Sequence, residues 1–337
     1  MRFSLLASST LTASCALGAG ILRFGCSQIT IERLDPLVEP GANPSAHLHQ
    51  VVGGNAFKAS IERTDVSKLA DCTTCSFSED LSNYWTANLF FRARNGTFKR
   101  VPQMPNRFLD GSVGGVTVYY FPQDLRTRVT TFKPGFRMLV GDATLRTKEG
   151  QSPRNCYRCF TGPNFEGDNL APCADPKLDT PGLPSTPCPG GIRSNIHFPT
   201  CWDGENLDTP NHKDHVAWPP GNAYQCPSTH PVKIPQVMLE VVWDTREFNN
   251  PDEWPEDGSQ PFVLSTGDPT GYSQHGDYVF GWKGDALQRA MDSNDCFAAN
   301  CPTLETQSFE VANKCAIPRT VDEPVDGWLD SLPGMSM

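Results

Sequence analysis

The feature that most constrains this chain is its cysteines. There are 13 in 337 residues, and Cys15 lies within an uncharged apolar run, Leu5 to Ile21, that follows Met1 and Arg2. That run is short for a bilayer span and rich in Ser, Thr and Gly. With the small residues Ala13, Ser14, Ala16, Gly18 and Ala19 after a basic start, residues 1–20 read as a secretory signal peptide. Its removal leaves an even set of twelve cysteines, the arithmetic of a disulfide framework built in an oxidising compartment. Pairing is not deducible from spacing. Cys72/Cys75, Cys156/Cys159 and Cys296/Cys301 either close small loops or reach elsewhere, and the two C-x-x-C units also have the spacing of zinc thiolates.

An extracellular address is therefore expected, with no membrane attachment after signal cleavage. The sequon Asn95-Gly96-Thr97 fits the same route. A net charge of −10 disfavours nucleic acid and anionic membrane surfaces, which call for basic patches.

Strand-like runs are short, β-branched and aromatic. Gly115–Phe121, Phe136–Val140, Val237–Trp243 and Asp277–Trp282 are examples, each bounded by Gly, Pro, Asn or Asp. Only Asp285–Ser293 carries a helical stripe, with Ala286, Leu287, Ala290 and Met291 on one face. The pattern predicts an all-β, sandwich- or jelly-roll-like single domain over 21–302 with one short helix. Residues 148–194, rich in Pro, Gly and Cys, read as a disulfide-pinned, loop-rich insertion, and 303–337 as an irregular tail. A monomer is expected.

Histidine marks the chemistry. All seven lie in polar stretches bounded by Gly and Pro. His47 and His49 are two apart, so a strand points both to one face, about 7 Å apart. His212 and His215 flank Asp214, with Asp208 upstream. His197 precedes Trp202-Asp203-Gly204, and His275-Gly276-Asp277 pairs an imidazole with a carboxylate across a glycine. Glu240, inside an apolar strand, is a general-acid candidate if it faces inward. No G-x-S-x-G elbow, phosphate loop, dinucleotide fingerprint or H-E-x-x-H is present.

These stretches resemble a fungal secreted family, the domain of unknown function DUF1996. The carrying residues are Arg33-Leu-Asp-Pro36, Ser45-x-His47-x-His49, Gly53-Gly54 and Phe132–Met138 with Gly141-Asp142. They continue with Phe198–Gly204, Asp208–Val216, Cys226–Pro231, Trp243-Asp-Thr245, Gly267-Asp268 and His275–Trp282. The resemblance covers about 24–301 and implies a fungal extracellular protein, in a family sometimes fused to sugar-binding modules, but supplies no reaction.

Three readings follow. In the first, the chain is a hydrolase or polysaccharide lyase acting on cell-wall or plant glycan. His47, His49, His197, Asp203, His215, His275 and Asp277 are its catalytic candidates, and Trp202 and Trp282 line its groove. In the second, copper or zinc is held by His47 and His49 with a third imidazole from His215, His197 or His275. In the third, the chain binds wall glycan without catalysis. The sequence identifies no cofactor that would decide between them.

Overall fold

The computed structural model describes residues 20–152, 154–221 and 224–335. Residues 1–19 of the expected signal peptide, with Cys15, lie outside the described residues. Two large sheets form where the sequence alternates. One has eight strands. Its order is Asp179–Thr180, Cys156–Cys159, Ile192–His197, Gln236–Trp243, Val116–Phe121, Ile21–Cys26, Phe297–Ala298, and Gln103–Met104 pairs onto Gln236–Trp243. The other has five, ordered Gln28–Glu32, His49–Gly53, Asn83–Ala87, Gly276–Val279, Arg137–Val140.

The period of two then assigns every side chain in these ladders to a face. Phe24 pairs with Val118, and Tyr120 with Val237. These residues share the main core with Val52, Tyr84, Met138 and Tyr278 of the smaller sheet. Each fully buried aliphatic or aromatic side chain there contributes roughly 1.5–3 kcal/mol of transfer free energy. Hydroxyls join the sheets: Tyr84 Oη lies 2.5 Å from Tyr120 Oη, and Tyr120 donates to Tyr278 Oη at 2.9 Å. The all-β, sandwich-like expectation is met.

The opposite face of the smaller sheet carries His49, Val51, Trp85, Asp277 and Val279, by the same alternation. It is roofed by loops. Leu34, Leu37, Phe57, Ile61 and Val66 pack down on Val51, Trp85 and Val279, together with Cys315 and Val321 of the C-terminal segment. His49 and Asp277 are the polar members of this roofed face, beside that apolar cluster.

All twelve cysteines among the described residues are paired: 26–75, 72–315, 156–173, 159–188, 201–226 and 296–301. Of the three close pairs, only Cys296 and Cys301 join each other. No thiolate remains for a zinc site built on the C-x-x-C units.

The 148–194 segment does more than cover an end. Its Cys156–Cys159 strand lies inside the large sheet, between Asp179–Thr180 and Ile192–His197. Helix Ala286–Met291 falls within the expected stretch, with Ala286, Leu287, Ala290 and Met291 buried. A second short helix, Phe309–Ala312, lies in the tail, capped by Ser308 accepting from the Val311 amide. The tail is also fastened by Cys72–Cys315, by a Trp328–Leu329 strand paired to Phe98–Arg100, and by Glu32 Oε1 accepting from the Thr320 and Val321 amides. Among the described residues no helix is long and apolar enough to cross a membrane.

Candidate metal centre

Three imidazoles converge on the roofed face. His49 opens the His49–Gly53 strand and pairs with Ala87. Extending the Asp277–Trp85 register by two residues sets His275 opposite Ala87 from the other side, and Thr86 Oγ1 ties the His275 carbonyl at 2.6 Å. Ala87 thus separates two histidines in one cross-strand row, and its methyl leaves the space both rings need. His47 lies in the bend just before this strand, and its ring centroid comes within 4.2 Å of that of His49.

The three Nε2 atoms face one another. His47 Nε2 is 3.1 Å and His49 Nε2 is 3.3 Å from His275 Nε2, and all three lie within 4.8 Å of one another. Tetrahedral ligation at ~2.0–2.1 Å from metal to nitrogen separates ligand atoms by about 3.3–3.4 Å. The outer nitrogens are also oriented. His49 Nδ1 donates to the Leu34 carbonyl at 3.1 Å, and His275 Nδ1 to the Ser273 carbonyl at 2.8 Å. A proton on Nδ1 leaves the inward Nε2 of a neutral ring as a lone pair, the tautomer that second-shell carbonyls set in histidine metal sites. Two such lone pairs 3.3 Å apart repel unless a cation or a proton lies between them.

Electrostatics keep the rings neutral, which is the ligating state. Burial lowers the pKa of His49 well below the ordinary range, and the charge of His275 adds to this. Burial likewise lowers His47, helped by His49, His275 and Arg146. His275 is lowered chiefly by burial, against the Ser273 carbonyl and the carboxylates of Asp35 and Asp142. His49 and His275 are buried, and His47 is the partly exposed member, so the centre meets solvent on its side.

Around the three rings stand charged groups. Asp277 shares the face of His275. It is fully buried with both carboxyl oxygens lacking a partner, and burial, then Asp35, push its pKa up. Asp35 Oδ1 caps the turn below, accepting from the Leu37 and Val38 amides at 3.1 and 3.0 Å. Lys213 Nζ donates to the Gly141 carbonyl at 2.6 Å. Gly141, at φ +84°, lies so close that a Cβ there would sit 2.8 Å from His275 Cα.

Of the expected site residues, His47, His49, His275 and Asp277 share this face. The others lie elsewhere. His215 bonds the Arg137 carbonyl at 2.9 Å and Thr209 Oγ1 at 3.2 Å and packs against Phe136. His197 is buried on the large sheet, where burial brings its pKa down to about 4. Asp203 caps a turn through the Glu205 and Asn206 amides. Trp202 and Trp282 are 3% and 1% exposed and belong to the core. Glu240 is buried on the large sheet, accepting from Tyr119 Oη and Asn106 Nδ2, both at 2.7 Å. Sequence reasoning missed Asp35, Lys213 and Arg146. The first two stand inside the Arg33–Pro36 and Asp208–Val216 motifs, Lys213 between His212 and His215.

Comparison with curated proteins and with solved structures returned no match. A family model described as "Domain of unknown function (DUF1996)" matches residues 35–282. That span begins at Asp35 and ends at Trp282, holding all three imidazoles and the strands that set them. By this match over most of its length, the chain belongs to the DUF1996 family.

Proposed function

We propose that the protein is a secreted, metal-dependent enzyme that cleaves cell-wall or plant glycan, as a hydrolase or lyase, at a zinc or copper centre held by His47, His49 and His275. One observation carries this reading: three buried or half-buried Nε2 atoms converge at ligand-to-ligand spacing, two of them with Nδ1 anchored on backbone carbonyls. Three imidazoles suit zinc or copper and leave a coordination position for substrate or water. A metal ion there supplies a Lewis acid. The protein surrounds it with Asp35, Asp142, Asp277 and Lys213 as carriers of protons and charge.

Six disulfides and the signal-like N-terminus support an extracellular address, where polysaccharide is an abundant polymer. The test is incubation of purified protein with a panel of fungal and plant polysaccharides, with and without chelator. Expected is the appearance of new chain ends on at least one polymer, abolished by chelator and restored by zinc or copper. No product on any polymer would overturn the enzymatic reading and leave glycan binding.

A further inference from the structure

The tail beyond the family match builds a groove of its own. Residues 323–335 curl around a concavity of about 590 Å³, within the ~300–1,000 Å³ of small-ligand sites. Its lining joins one indole, Trp328, to the carboxylates of Glu323, Asp326 and Asp330 and the apolar Leu332 and Met335. Among the described residues no lysine or arginine lines it.

Strand register sets the indole there. Trp328–Leu329 is the edge strand of the sheet ordered Phe262–Leu264, Leu89–Arg92, Phe98–Arg100, Trp328–Leu329. Leu329 turns inward and packs with Leu48 and Leu332. Alternation sends Trp328 and Asp330 outward together, about 7 Å apart. Phe91, 6.3 Å away between ring centroids, and Lys99 Nζ, 5.7 Å over the ring, hold the indole against the sheet. Trp328 is still 56% exposed, the most exposed tryptophan of the described residues.

The three carboxylates are not equivalent. Glu323 pairs with Arg33 at 2.8 Å, and Asp326 pairs with Arg100. Asp330 is exposed and has no such partner among the described residues, so both its oxygens are free to accept. An open aromatic face beside an accepting carboxylate matches a sugar ring, which offers apolar C–H groups on one face and hydroxyl donors at its edge. Carboxylates without a facing cation repel an anionic sugar. The groove also adjoins the open side of the metal centre. Gly334, at φ +85°, lies so near Ala46 that a Cβ there would sit 2.4 Å from the Ala46 carbonyl oxygen, and Leu48 shares a core with Leu329 and Leu332. Ala46 and Leu48 flank His47.

Resting on the glycan part of the reading above and not on the metal, we infer that this groove is a subsite for a neutral hexose of a polysaccharide, its face stacked on Trp328 and its hydroxyls donating to Asp330. A chain seated there is held beside the segment that carries His47.

The test is a nuclear magnetic resonance titration of chelator-treated protein with cellohexaose, laminarihexaose, chitohexaose and hexagalacturonate. It follows the indole N–H signal of Trp328, identified by its absence in W328F. At least one neutral hexamer should shift this signal to saturation, and hexagalacturonate should bind at least tenfold more weakly. By calorimetry, W328A should weaken the neutral sugar at least tenfold and W328F less. D330N should weaken it roughly tenfold, about the worth of one hydrogen bond to a charged group. Both side chains are exposed, so the variants should unfold at the native temperature. No shift with any neutral hexamer, or equal affinity in W328A, overturns the inference and leaves the metal centre untouched. Equal or tighter binding of hexagalacturonate overturns the assignment to a neutral sugar. Binding that appears only after zinc or copper is restored places the sugar on the metal and also overturns it. A shifted Trp328 signal in protein that cleaves no polysaccharide removes the enzymatic reading and keeps the subsite.

Discussion

The chemistry is concentrated in the proton bookkeeping of a few buried side chains. His49 and His275 each hand one proton to a carbonyl and turn an unprotonated nitrogen toward the other. His275→Ala and His49→Ala should therefore bring bound metal from one ion per chain to near none. The far-ultraviolet spectrum should stay native, because both side chains lie outside the main core. A different buried group tests the electrostatics away from the site. Burial raises the Asp80 carboxyl from 3.8 to about 6 against hydrogen bonds from Ser82 and Tyr84. The folded state holds this proton more tightly than the unfolded chain, so ionising it costs nothing below pH 3.8. The cost grows to about 3 kcal/mol as pH rises through 6. Denaturant unfolding of Asp80→Asn and the native chain at pH 4 and pH 7 should show the difference shifting by about 2–3 kcal/mol in favour of the variant at the higher pH. A pH-independent difference would contradict the assignment.

At the scale of elements, the site is a product of strand register. His49 opens one strand and His275 immediately precedes another; 226 residues apart in sequence, they meet across Ala87. Ala87→Leu keeps every ligand and fills the gap between the rings. It should cost about 1–3 kcal/mol in overpacking and abolish metal uptake, measured by thermal unfolding and elemental analysis. The hairpin turn at Asn95-Gly96-Thr97 is a second element-level case. Asn95 is exposed at the turn, with its side-chain carbonyl accepting from the Thr97 hydroxyl at 2.8 Å. Protein from a secreting eukaryotic host should carry a glycan there, seen as a mass increment lost in Asn95→Gln.

The alternation of Val116, Val118 and Tyr120 and the H-x-H at 47–49 were readable because each is a local pattern, but the histidines meet through a bend at His47, with ring centroids 4.2 Å apart, and not as two strand positions about 7 Å apart. The third imidazole of the cluster was readable only as a choice among His197, His215 and His275, since pairing across more than 200 residues leaves no local trace. Trp202 and Trp282 misled for a related reason. An aromatic in a polar turn has the same sequence signature whether its ring faces sugar or core.

Over the whole molecule, two disulfides tie the roof to the large sheet in series: Cys72–Cys315 joins the tail to the 72–75 loop, and Cys26–Cys75 joins that loop to the Ile21–Cys26 strand. Cys72–Cys315 closes a loop across 243 residues and fastens the tail over the face that holds the centre. In C72S/C315S the segment beyond residue 303 should become sensitive to protease while the sheets stay folded, and stability should fall by about 2–5 kcal/mol. The tail looked irregular in sequence because its order comes from this bridge and from Glu32, not from periodicity. Whether the three imidazoles hold one metal ion is decided by elemental analysis of the purified native chain beside a His47→Ala, His49→Ala, His275→Ala triple variant. About one zinc or copper per native chain is expected after dialysis, and none in a folded triple variant. A native chain without metal after exposure to zinc and copper, or equal metal in both proteins, would contradict it.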